Sequence, residues 1–104
     1  MRRGEVWWAD LPEPCGRRPV VLLSRDEAYA VRDLITVAPI TTRIRNIPVE
    51  VPLGATQGLN KNCVANLDTI TTVPKRCLSE MVASLSAAKI VEIDEAIQFA
   101  LGLK

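Results

Sequence analysis

A chain of 104 residues with 13 basic and 12 acidic side chains holds one domain and one modest core, and its net charge of +1 announces no bulk polyanion binder. The absence of histidine removes histidine acid–base catalysis and histidine-ligated metal sites. Three scattered cysteines without a CxxC pair, no signal peptide and no long apolar run point to a reduced cytoplasmic setting, with no metal, no cofactor and no membrane.

Glu5–Ala9 reads as a first strand, with Val6 and Trp8 on one face and Trp7 on the other. Two adjacent tryptophans cannot share a core. One should cover a second packing surface, a partner or a ligand, unless Trp7 is simply half-buried under a loop. Asp10–Gly16, with Pro12, Pro14 and Gly16, is a loop that delivers Arg17 and Arg18 to the apolar run from Val20 to Leu23. That run reads as a short buried strand. Pro19 biases Arg18 toward extended geometry, so its guanidinium stands at the mouth of the strand as an anion clamp.

Residues 25–33 form a polar connection with room for a helical turn. Leu34–Ile40 is a strand whose Pro39 argues for an edge or a bulge. Thr41–Asn46 is a cationic turn with hydroxyls. In Ile47–Leu53 the residues Ile47, Val49, Val51 and Leu53 face one way and Pro48, Glu50 and Pro52 the other, and the prolines mark an edge strand. Gly54–Asn62 is an exposed loop. Cys63–Leu67 and Thr69–Val73 are short β pieces around Asp68, and Arg76–Val82 is a last strand. From Ser86 the period changes: Ile90, Ile93, Ile97 and Leu101 recur at three- and four-residue steps, with Ser84 or Ser86 to cap the helix and Gly102 to stop it. The sum is a mainly β single domain over residues 1–104, a small barrel partly covered by a C-terminal α-helix.

Arg17, Arg18, Thr41, Thr42, Arg43, Arg45, Asn66 and Asp68 are the polar residues able to carry chemistry. An arginine can hold a phosphate through two hydrogen bonds and balance charge growing on phosphorus, and a strand-end threonine can hold a non-bridging oxygen. Arginine hardly deprotonates, so electrostatic stabilisation suits it better than base catalysis. Each residue has a plainer reading as well: Arg43 and Arg45 as a solvated turn, Arg18 as a surface ion pair, Asp68 as a turn cap or the partner of Arg18. Residues 1–79 carry a net +3 and residues 80–104 a net −2, a weak basic-to-acidic asymmetry.

Four stretches resemble the MazF/PemK-type toxins, the RNA-cleaving halves of bacterial toxin–antitoxin pairs. They are Arg3-Gly4-Glu5-Val6-Trp7, the run Gly16-Arg17-Arg18-Pro19 through Ser24, Val37-Ala38-Pro39-Ile40-Thr41, and the closing run from Ala96 to Leu103. The resemblance implies a dimeric SH3-like β-barrel and metal-independent cleavage of single-stranded RNA, leaving 2′,3′-cyclic phosphate and 5′-hydroxyl ends. It also implies a cognate antitoxin that blocks the RNA groove. The family's catalytic arginine falls on Arg18 and its catalytic threonine on Thr41. An acidic residue present in some members falls on Asp68, and an arginine of others is replaced by Asn66. The chain lacks the histidine of some relatives and the Glu-Gln-Gly stretch before the arginine. With RNA in the basic portion, Arg43, Arg45 and Lys61 would meet phosphates. Asn46, Gln57 and Asn62 would read bases, and Arg17, Thr42 and Asn66 would line the path. Because a related toxin group with this fold poisons DNA gyrase without cutting RNA, a non-cutting toxin or binding barrel is the alternative. The Gly-Arg-Arg-Pro stretch with Ile40-Thr41, kept by the cutters, separates the two.

Overall fold

The computed structural model describes residues 1–103. In chain order the elements are β1 (Glu5–Asp10), β2 (Arg17–Leu22), α1 (Ala28–Val31), β3 (Leu34–Thr41), β4 (Glu50–Leu53), β5 (Cys63–Asn66), β6 (Thr71–Pro74), β7 (Leu78–Ser84) and α2 (Ala87–Ala100). Short 3-10 turns follow β4, β5 and β6. All strand pairs are antiparallel, and the ladder runs β4-β5-β3-β2-β1-β7 with β6 attached to β3. The expected mainly β fold with a C-terminal helix is present, as an open barrel whose ladder ends at β4 and β7. No helix among the described residues is long and apolar enough to cross a membrane.

The run Val20-Val21-Leu22 is apolar throughout because β2 is covered on both faces. Val21 joins a core with Val6, Ala38, Ile40, Val51 and the helix residues Ile93 and Ala96. Val20 and Leu22 join a second core with Ala9, Tyr29, Ile35, Val37 and Val73. Each buried Val, Leu or Ile side chain among them contributes about 1.5–3 kcal/mol by leaving water. Trp7 packs on this second core, so the tryptophan pair is divided between two surfaces.

Three sequence expectations change. β3 is a central strand rather than an edge, paired with β2 on one side and with both β6 and β5 on the other. Pro39 falls between the β6-paired segment, which ends at Val37, and the β5-paired segment, which begins at Ile40. A residue without an N–H fits in that interruption. The paired part of Ile47–Leu53 is only Glu50–Leu53, an edge as expected, but Glu50 is buried instead of facing water. The last strand begins at Leu78 because residues 75–77 form a 3-10 turn.

α2 starts and stops where its caps require. The Ser86 hydroxyl accepts from the Lys89 N–H, and Gly102, at φ +70°, lets Leu103 N–H return to the Gln98 carbonyl. The N-terminus is clasped to this helix. Arg3 donates to the Asp94 carboxylate at 2.7 Å and to the Leu23 carbonyl at 3.0 Å. Gly4, buried with φ +90°, lets the chain pass so close that a Cβ there would lie 2.6 Å from Ile90 Cδ1.

Candidate functional site

β2 and β3 pair as Val20–Pro39, Val21–Ala38 and Leu22–Val37. Continued two residues beyond that ladder, the register places Arg18 opposite Thr41, at one end of the sheet. Both side chains are partly exposed. The loop before β2 sets the arginine: Arg18 Nε and Nη2 both donate to the Cys15 carbonyl at 3.2 Å. Nη1 has no hydrogen-bond partner among the described residues, so a cationic donor remains available. Thr41 Oγ1 accepts from the Arg43 N–H at 3.1 Å, which leaves its own O–H free to donate. An arginine and a hydroxyl donor on neighbouring strands suit a phosphodiester well.

A cavity of about 330 Å³ opens beside Thr41. Trp8, Pro19, Thr42, Asn60 and Lys61 are among the residues that line it. Lys61 is the one charged side chain on its lining, so the cavity is mostly apolar with a cationic rim.

The segment after Thr41 is held by a residue that sequence reading assigned to solvent. The Glu50 carboxylate accepts from the Arg45 N–H at 2.9 Å and the Asn46 N–H at 3.0 Å, and it pairs with Arg45 Nε at 3.4 Å. Burial pushes that carboxyl up, but the Arg45 and Asn46 hydrogen bonds and the Arg45 charge outweigh it, leaving the group below its ordinary value. Asn46 accordingly takes φ +55°, in the left-handed region that asparagine tolerates. Arg43 stays exposed and makes no ion pair among the described residues, whereas Arg45 is tied to Glu50.

The other expected residues are dispersed. Arg17 lies between Asp10 and Glu80, each 3.5 Å away, and over the Trp8 ring at 5.0 Å from its centroid. Gln57 Oε1 accepts from the Gly54 N–H at 2.7 Å, so that side chain closes its own loop. Asn62 is exposed on the same loop. Asn66 caps the turn after β5 by accepting from the Asp68 N–H at 2.9 Å. Asp68 is exposed and forms no ion pair with Arg18. The β3–β5 register pairs Thr41 with Val64, and Asp68 lies beyond the end of β5, in the 3-10 turn Leu67–Thr69. The chain therefore brings Thr41, Thr42 and Lys61 onto one cavity lining with Arg18 opposite Thr41 by register, while Asn66 and Asp68 are engaged with each other at the turn after β5. Of the two tryptophans singled out in the sequence, Trp8 is the one on the cavity lining, whereas the contacts of Glu50 were missed because the strict alternation concealed them.

Residues 2–101 match the PemK-like, MazF-like toxin family of type II toxin–antitoxin systems. Endoribonuclease MazF9 of Mycobacterium tuberculosis is 36% identical over 115 residues, spanning 99% of this chain and 98% of its own. Endoribonuclease MazF of Staphylococcus epidermidis is 36% identical over 111 residues, spanning 99% of this chain and 92% of its own. Among solved structures, the Mycobacterium tuberculosis toxin MazF-mt6 is similar with a TM-score of 0.89 and 34% identity, over 96% of this chain and 98% of that one. An endoribonuclease in complex with its cognate antitoxin, from a mycobacterial species, reaches a TM-score of 0.89 at 29% identity, over 100% of this chain and 97% of that one.

Proposed function

The chain belongs to the PemK-like, MazF-like toxins of type II toxin–antitoxin systems, and from that premise we propose that Arg18 and Thr41 carry its cleavage of RNA. The protein is an endoribonuclease, and the observation that supports this site is the β2–β3 register, which on extension by two residues brings Arg18 opposite Thr41. The substrate is single-stranded RNA in the cytoplasm. Its 2′-oxygen bonds to the adjacent phosphorus while the bond to the 5′-oxygen breaks. The 2′-hydroxyl loses a proton and the leaving oxygen gains one, which gives 2′,3′-cyclic phosphate and 5′-hydroxyl ends with no co-reactant. Arg18 stabilises charge on the phosphoryl oxygens, and Thr41 donates a second hydrogen bond. DNA lacks the attacking hydroxyl.

Thr42, Arg43 and Lys61 guide the backbone toward this pair, and an antitoxin segment of acidic character covers the same basic face. Phe99, Leu101 and Leu103 at the end of α2 are 57%, 61% and 66% exposed, and a second copy of the chain covers them in a homodimer.

Cleavage of single-stranded RNA in EDTA tests the site. Arg18→Ala should fold normally and cut on the order of a hundredfold more slowly or worse, the cost of one lost transition-state donor. Thr41→Ala should lose less. Undiminished cutting by a folded Arg18→Ala protein would remove the assignment.

A further inference from the structure

We propose that Glu50 is a positioning residue for the cleavage reaction, aiming the Thr41 hydroxyl through the backbone that lies between them, an inference that rests on Thr41 serving as the second donor to the phosphate. Glu50 stands on firm structure. It pairs with Asn66 across β4 and β5, and its N–H donates to the Ile47 carbonyl at 2.9 Å. Its neighbours Val49 and Val51 are buried, and its own side chain is only 2% exposed. Residues 42–46 are the opposite: all of them are exposed, and none belongs to a helix or strand.

That segment is tied at both ends. At one end Glu50 Oε1 accepts from the Arg45 and Asn46 N–H groups at 2.9 and 3.0 Å, and Oε2 takes Arg45 Nε at 3.4 Å. At the other, Thr41 Oγ1 accepts from the Arg43 N–H at 3.1 Å. Only residues 42–44 separate the end of β3 from the first amide that Glu50 holds. A stretch of that length spans at most about 10 Å, so pinning Arg45 also restricts where the Arg43 N–H can go.

The consequence falls on a single proton. A threonine hydroxyl has one donor and two acceptor sites. With the Arg43 N–H on one acceptor site, Thr41 closes a local side-chain turn that keeps it in one staggered χ1 well, and its own proton is left for a phosphoryl oxygen. Freed from that bond, the side chain would divide its time among the staggered wells. A carboxylate suits the anchoring task because it only accepts, and two N–H groups and a guanidinium converge on it. Glutamine would keep the shape but turn an NH₂ donor toward donors.

The test is a double-mutant cycle on the kinetics of single-stranded RNA cleavage in EDTA. It compares the wild type, Glu50→Gln, Thr41→Val and the double variant, each checked for fold by circular dichroism. Glu50→Gln should lower kcat about two- to fivefold, the dilution expected when one χ1 well is no longer preferred, with a larger rise in KM as the Arg43 side chain loosens. In the Thr41→Val background the same change should leave kcat where it was, because no hydroxyl remains to be aimed, while the rise in KM persists. An equal loss of kcat in both backgrounds overturns the relay and leaves Glu50 a purely structural residue. So does an unchanged kcat in a folded Glu50→Gln protein. Should Glu50→Gln not fold, Glu50→Asp, which keeps the charge and shortens the reach, takes its place in the cycle with the same outcomes. Thr41→Val cutting at the wild-type rate is a separate failure: it strikes the role given to Thr41, on which the relay depends, whereas additivity strikes the relay alone.

Discussion

Glu50 decides where the chain goes after Thr41, because its carboxylate is the acceptor on which the Arg45 and Asn46 N–H groups converge. Its folded-state pKa lies below the ordinary 4.5. A depressed carboxyl contributes stability above the unfolded value and loses it as pH falls through the folded value. The stability gap between wild type and Glu50→Gln should therefore be full at neutral pH and shrink below about pH 4.5. Thermal unfolding of both proteins across an acid series measures it, and a gap constant with pH would show that the carboxylate charge is not what holds the turn. At neutral pH the variant should raise KM for RNA more than it lowers kcat, because it loosens Arg43 without touching Arg18. At this scale the sequence was only partly legible. Arg18 and Thr41 were nominated by short motifs, whereas Glu50 obeyed the alternation of an edge strand and revealed nothing of the N–H groups that return to it from outside that strand.

Elements meet closely where Gly4 passes α2. Alanine there would combine a left-handed φ with a Cβ 2.6 Å from Ile90 Cδ1 and 2.9 Å from its Cγ1. Together these should cost about 1–3 kcal/mol, a fall of several degrees in Tm. Adding Ile90→Val removes the nearest methyl and should restore part of the loss in a melting experiment. No recovery would assign the whole cost to the backbone. Most element boundaries were readable because they depend on local chemistry: the Ser86 cap, the Gly102 stop and the three- and four-residue apolar steps of α2 lie within one helix. The place of Pro39 was not. Its tolerance in a central strand comes from a change of partner, β6 to β5, made by residues that lie between 64 and 74.

For the whole molecule, the end of α2 and the residues just after it leave large apolar side chains exposed. With Phe99, Leu101 and Leu103 more than half exposed, sedimentation at micromolar concentration should give twice the chain mass, and charged replacements at Leu101 and Leu103 should return it to one. A wild-type protein sedimenting as a single chain would exclude the homodimer. Such assembly could not have been read from the helical stripe alone, since the same stripe also supplies Ile93 and Ala96 to the protomer's own core.

β3 has a further consequence. It contributes to both cores, Ala38 and Ile40 to one and Ile35 and Val37 to the other, and it pairs with three strands. Its amides should exchange with solvent deuterium only through global unfolding, whereas the exposed segment 42–46 is held chiefly by Glu50 and should exchange through local opening. Thr41 thus ends the most protected strand, next to one of the least protected segments. Mild denaturant should therefore open that segment while β3 is still folded, and substitutions within it can change the local surface without first dismantling the fold.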